Sequence, residues 1–187
     1  MPNHTSNLIE ISCYGEKETE ILNQFKKKFL RPNLTIDFNK IIPQPENISN
    51  EALTDDQIKQ LAKKGIPHWY NWNHANWNTK WNAYSQRVIS DEFYFRLYFQ
   101  TAWSEPRPII DLMFKFAKEN GIGMKYISSC EGGFFSNLKQ IDEDGEITET
   151  DMKEAWDGIY TLFNVIQEFP EIEDIEENTA ADFIAQK

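Results

Sequence analysis

Thr79–Thr101 reads TKWNAYSQRVISDEFYFRLYFQT, two strand-like runs, Thr79–Ile89 and Glu92–Thr101, parted at Ser90-Asp91. In the second run Phe93, Phe95, Leu97 and Phe99 fall on one face. Tyr94, Arg96, Tyr98 and Gln100 fall on the other, the period of two expected of a strand with one face on a core. Working outward, Pro106–Asn120 carries Ile109, Ile110, Leu112, Met113, Phe116 and Ala117 at helical spacing and closes at Gly121. Upstream, Asn7–Cys13 alternates as a strand. Glu16–Phe29 has a helical stripe of Ile21, Leu22, Phe25 and Phe29, with Lys26–Lys28 placed well at its C-terminal end. Gly123–Cys130 supplies a further strand. The order strand, helix, strand, strand, helix, strand is the split βαβ pattern of a ferredoxin-like sandwich, so the expected class is α+β.

Two segments stand outside that pattern. Residues 35 to 78 read as an insertion after the first helix, rich in Trp towards its end. Within it Thr35–Ile42 reads as a short extended piece ending at Pro43 and Pro45. Thr54 with Gln57 forms a capping box that opens a helix to about Lys64, with Gly65 just past its end. His68–Asn78 fits a short helix or an ordered loop. Downstream, Phe134–Ile141 reads as a strand after Glu131-Gly132-Gly133, a turn or a bulge, and Asp144-Gly145 is a turn signal with room for a short strand after it. The expected domain spans residues 1–150. Residues 151–187 form an extension, a helix over Asp151–Phe169 followed by an acidic tail beyond Pro170.

With 187 residues, 40% apolar and 26% charged, the chain can bury a core without disulfides. Cys13 and Cys130 lie in strand-like runs and read as buried free thiols. The N-terminus lacks a basic region followed by an apolar run, and no stretch approaches a membrane span, so a cytoplasmic setting is expected. The net charge of −11 is uneven: Glu131–Lys187 holds 16 acids against 3 lysines, whereas residues 1–130 hold 14 acids against 16 bases. Bulk acidity argues against nucleic-acid phosphate as the main partner and suits approach to basic surfaces. Asp142, Glu143, Asp144, Glu146, Glu149, Asp151, Glu154 and Asp157 are the candidate acidic contact surface. A solvated hairpin and helix face is the plainer meaning of the same charges.

Twelve of the 26 aromatic residues, including five of six tryptophans, fall between Trp69 and Trp103. In Asn76–Tyr84 (NWNTKWNAY), amides, a hydroxyl and a lysine alternate with flat rings, an array able to stack on a base or grip a peptide. Trp72, Trp77, Lys80, Trp81, Asn82, Tyr84 and Trp103 are therefore the candidate aromatic and polar cluster, against the alternative that the indoles close a core while the asparagines cap turns. Ser104 reads as the N-cap of the helix that follows, with Glu105 and Pro106 in its first turn. His4, His68 and His74 have no metal-ligand spacing, and no paired cysteines join them. The Glu131-Gly132-Gly133 run lacks the lysine and following helix of a phosphate loop. No serine sits in a nucleophile elbow and neither cysteine has a local catalytic signature, so no cofactor, metal or catalytic residue is expected.

Four strings carry a family resemblance: Pro2-Asn3-His4 with Thr5 and Asn7; Phe38-Asn39-Lys40-Ile41-Ile42-Pro43; Asn76–Ala83; and Thr101-Ala102-Trp103-Ser104-Glu105-Pro106. They occur in one order over about residues 2 to 110 and resemble the YubB-like proteins of phages and plasmids, which have a ferredoxin-like domain and no assigned activity. Glu131-Gly132-Gly133-Phe134 is similar to that family's Gly-containing segment, while Asn78 stands where the family usually has Gly. The resemblance implies a mobile-element protein in a host cytoplasm that binds host machinery. The expected function is inhibition of a nucleic-acid defence complex, of anti-CRISPR or antirestriction type, by an acidic surface that imitates phosphate. The rivals are a single-stranded nucleic-acid-binding module and a small-molecule enzyme, both placed at the Trp cluster.

Overall fold

A computed structural model describes residues 3–131 and 135–152. The elements run β1 His4–Ser12, α1 Glu16–Phe29, α2 Phe38–Ile41, α3 Asp55–Lys63, α4 Trp69–Trp77, β2 Tyr84–Ser90, β3 Tyr94–Ala102, α5 Arg107–Asn120, β4 Lys125–Cys130, β5 Ser136–Ile141 and β6 Ile147–Asp151. The fold is α+β. Among the described residues, six strands form one antiparallel sheet in the order β2-β3-β1-β4-β5-β6.

Alternation along the strands sets the two faces. Ile9 and Ile11 of β1 and Phe95, Leu97 and Phe99 of β3 pack with Leu22, Phe25 and Phe29 of α1 and Ile109, Ile110, Met113 and Phe114 of α5. All but Phe29 of these are at most 1% exposed. Burying each stabilises by about 1.5–3 kcal/mol, so this layer dominates the energetics. The opposite face carries a smaller cluster of Leu8, Tyr98 and Ile127. Phe93, which opens the expected apolar run, instead precedes β3 and is 49% exposed between β2 and β3.

The capping box at Thr54 and Gln57 is present, and Gly65 at φ 72° ends α3 in the left-handed conformation. Gly121 does the same for α5. Both cysteines are free and buried.

Three expectations need correction. Thr35–Ile42 is not extended throughout. Asp37 accepts the Asn39 N–H at 3.0 Å and opens the short helix α2, leaving only Ile36 in an isolated bridge to Leu30. The first hairpin strand starts at Tyr84 rather than Thr79, because Asn78 is left-handed (φ 62°) and the chain turns before it enters the sheet. Ser104 caps nothing. Its hydroxyl donates to the Asn78 carbonyl, and Pro106 occupies the N-cap position of α5. The helix expected over Asp151–Phe169 lies outside the described residues, apart from Asp151 and Met152; Asp151 ends β6.

Candidate functional site

The Trp-rich segment divides into an inner and an outer half. Residues four apart on a helix share a face, and on α4 that pairing buries Asn73 and Trp77. Trp77 is 2% exposed, meets Phe38 edge-on at 5.7 Å and Trp72 at 5.4 Å, and donates its indole N–H to the Ile42 carbonyl at 2.9 Å. Asn73 accepts from Gln44 and donates to the Lys80 carbonyl. Asn82 accepts from the Phe38 N–H and donates to Asp37 at 2.7 Å. Burial alone would raise the Asp37 carboxyl. The hydrogen bonds from Asn82 and Arg31 outweigh burial and hold it below the usual range. Trp72, Trp77 and Asn82 therefore join residues 37–82 to the core, Trp77 buried and the other two half-buried.

The other candidates of the cluster gather on the surface, where three residues not included in it join them. Tyr70 and His74, the second i, i+4 pair of α4, meet at 4.6 Å. His74 stacks on Trp103 at 5.7 Å and 20°. The Lys80 ammonium stands 5.0 Å from the Trp103 ring and 4.7 Å from the Trp81 ring. Trp81 meets Tyr84 at 6.3 Å, and Tyr84 meets His4 at 5.7 Å. The result is a continuous ribbon of rings with one cation between two indoles.

The backbone is arranged to present this ribbon. Trp103 follows β3 at φ 75°, is 39% exposed, and is fixed by its N–H to the Asn3 carbonyl at 2.9 Å. A bulky side chain at positive φ costs of the order of 1–3 kcal/mol, and glycine would sit there freely. Asn78, also left-handed, donates to the Glu105 carbonyl and so joins the residue 78–82 turn to the segment before α5.

Electrostatics within the ribbon favour neutral rings beside a charged lysine. Burial, then the nearby Lys80 charge, lowers His74 below its ordinary value, and its Nε2 is buried with no hydrogen-bond partner among the described residues. Tyr84 shares a 2.7 Å hydrogen bond with His4 Nδ1, and burial first, then Tyr98 and Glu131, pushes its phenol up to about 12. It stays protonated at neutral pH.

The acidic candidates are placed differently. Glu143 and Asp144 are exposed at the β5–β6 turn, where Asp142 accepts the N–H groups of Asp144 and Glu146. Glu146 pairs with Lys118 at 2.6 Å. Glu149 pairs with Lys139 at 2.8 Å and with Arg107 at 3.1 Å, and the Lys139 hydrogen bond is the main reason its carboxyl lies low. Asp151 is exposed at the end of β6; Glu154 and Asp157 lie outside the described residues.

A cleft of about 180 Å³ lies between α5 and β4–β6, away from the Trp cluster, lined among others by Glu105, Arg107, Asn137 and Lys139. Glu105 is not in the first turn of α5. It is buried ahead of that helix and held by Arg107 at 2.7 Å, Ser128 at 2.7 Å and Asn137 at 3.3 Å. Its charge is committed to joining α5 to the sheet. Among the described residues, no group of three or more His, Cys, Asp and Glu could hold a metal ion, and no helix is long and apolar enough to cross a membrane.

Comparison with known proteins adds little. No family model matches the chain, and no curated protein matches it. Among solved structures it is similar to the crystal structure of a protein api92 from Yersinia pseudotuberculosis, described with the family model DUF1281. The TM-score is 0.45 at 7% identity, covering 81% of this chain and 98% of that one. A likeness at that level carries no statement about function.

Proposed function

We propose that this chain is a non-enzymatic binding protein of mobile-element type that inhibits a host nucleic-acid defence complex by protein–protein contact. Its frame is read as a ferredoxin-like split βαβ sandwich. The order β2-β3-β1-β4 with α1 and α5 on one face supports this, as does the resemblance to YubB-like proteins. The observation that carries the reading is the β5–β6 turn, where Glu143 and Asp144 project with no ion pair among the described residues while Glu146 and Glu149 are anchored to Lys118, Arg107 and Lys139. An acidic tip on a pinned hairpin steers towards a basic groove and loses little entropy on docking.

The test is affinity capture from host lysate with nuclease present, comparing the natural chain with a Glu143→Lys/Asp144→Lys variant. Glu146 is left unchanged because reversing it would break its pair with Lys118. Retention of a defence complex by the natural chain, and its loss from the variant, is the expected result. Equal capture by both chains would end the acidic-tip mechanism.

A further inference from the structure

We infer that the surface formed by Trp81, Lys80, Trp103 and His74 binds single-stranded nucleic acid, stacking unpaired bases on the indole rings. The site is separate from the acidic turn. His4 pairs with Ala102 and Thr5 with Cys130 at one end of the sheet, whereas Ile141 pairs with Ile147 beside the turn at the other. The inference therefore stands whether or not the hairpin meets a protein.

Three observations converge on it. First, Trp103 is 39% exposed in a backbone conformation that disfavours its side chain, with its backbone N–H tied down and its ring against His74 and Tyr70. An exposed, fixed indole offers a stacking face with little conformational freedom left to lose. Second, the Lys80 ammonium stands within 5.0 Å of both indole rings, so a phosphate reaching it lies beside both, and bases stack on the ring surface that the ammonium leaves uncovered. Third, His74 lies nearly parallel to Trp103 at 5.7 Å and 20°, so it backs that indole and steadies it for a base on its open part.

Net charge opposes nucleic acid, and Glu131 stands beside His4 and Tyr84 at one end of the ribbon, but Lys80, Trp81 and Trp103 come from the nearly neutral part of the chain. With one lysine at its centre, the contact rests on base faces rather than on phosphates. This favours single strands, whose bases are unstacked, over duplexes, whose bases are not. It also sets a distinctive salt response. Neutralising one phosphate of a single strand gives a slope of about −0.7 in log K against log salt, far shallower than for a basic groove.

The experiment is fluorescence anisotropy of a labelled oligothymidylate titrated with the full chain across a salt series, alongside quenching of intrinsic Trp emission. Binding with a slope near −0.7, no binding to a duplex of equal length, and a loss of roughly tenfold or more in Trp103→Gly support the inference. Lys80→Gln should bind more weakly, with the slope near zero. Trp103→Ala guards against a folding artefact. It removes the same ring but retains a Cβ at positive φ, so it should melt below Trp103→Gly while losing as much affinity. No binding at low salt, or full affinity in Trp103→Gly, would overturn the inference. So would capture of a nuclease-resistant protein that depends on Trp103 without any oligonucleotide binding.

Discussion

The sequence singled out Trp103 for aromatic identity, but its importance lies in its φ of 75° and its fixed N–H, which spacing alone does not show. Sequence spacing presents His74 only as a metal-ligand candidate, without a partner at ligand spacing. Its i, i+4 relation to Tyr70 was the legible signal, and the stacking on Trp103 was not, because that contact depends on the end of β3 meeting α4. The consequence of its burial is a pH response. The folded chain holds His74 below 6.5 through burial and the Lys80 charge, with Tyr70 and Trp103 completing its surroundings. Below about 6.5 the unfolded chain therefore takes up a proton that the folded chain refuses. Stability falls as pH drops through the interval down to the folded value, then levels off. His74→Phe keeps a ring against Trp103 and removes the proton site. Urea midpoints measured from about pH 7 to 5 should fall less steeply in this variant, and an unchanged slope would assign the pH response elsewhere.

Elements with a strong period were legible: the alternation in β3, the stripes of α1 and α5, and the glycines that end α3 and α5. Elements set by a local hydrogen bond against weak propensity were not. Asp37 turned an apparently extended run into α2, and Asn78 delayed the start of β2. α3 is a third kind, legible from its capping box yet without a single buried residue. A nine-residue helix whose apolar Ile58 and Leu61 are only half-buried depends on its cap, since isolated short helices are marginal in water. Thr54→Ala should cost the helix about 1 kcal/mol. The loss should appear as faster hydrogen exchange at the amides of Ile58–Ala62, with the melting temperature of the whole chain nearly unchanged, because α3 opens by itself. A drop in global melting temperature matching the local loss would mean instead that α3 is coupled to the core.

At the scale of the whole molecule, the sheet keeps two surfaces apart. β1 runs nine residues from the aromatic end, where His4 meets Ala102, towards the end where Glu10 meets Lys125 and Lys125 meets Gln140. At about 3.3 Å per residue the acidic turn and the Trp103 ribbon stand on the order of 30 Å apart. The layer between them includes Ile9, Leu97, Phe99 and Ile110, each at most 1% exposed, with the Glu105 ties to Arg107, Ser128 and Asn137 on one flank. Close packing resists deformation, so independence of the two ends is the expectation. Combining Trp103→Gly with Glu143→Lys/Asp144→Lys should therefore give a stability change equal to the sum of the separate changes within about 0.5 kcal/mol by urea denaturation. Oligonucleotide affinity at about 0.15 M salt should follow Trp103 alone, because that distance exceeds the screening length of about 8 Å. A larger departure in either quantity would mean that the two surfaces act as one, and that a partner is gripped across the whole sheet.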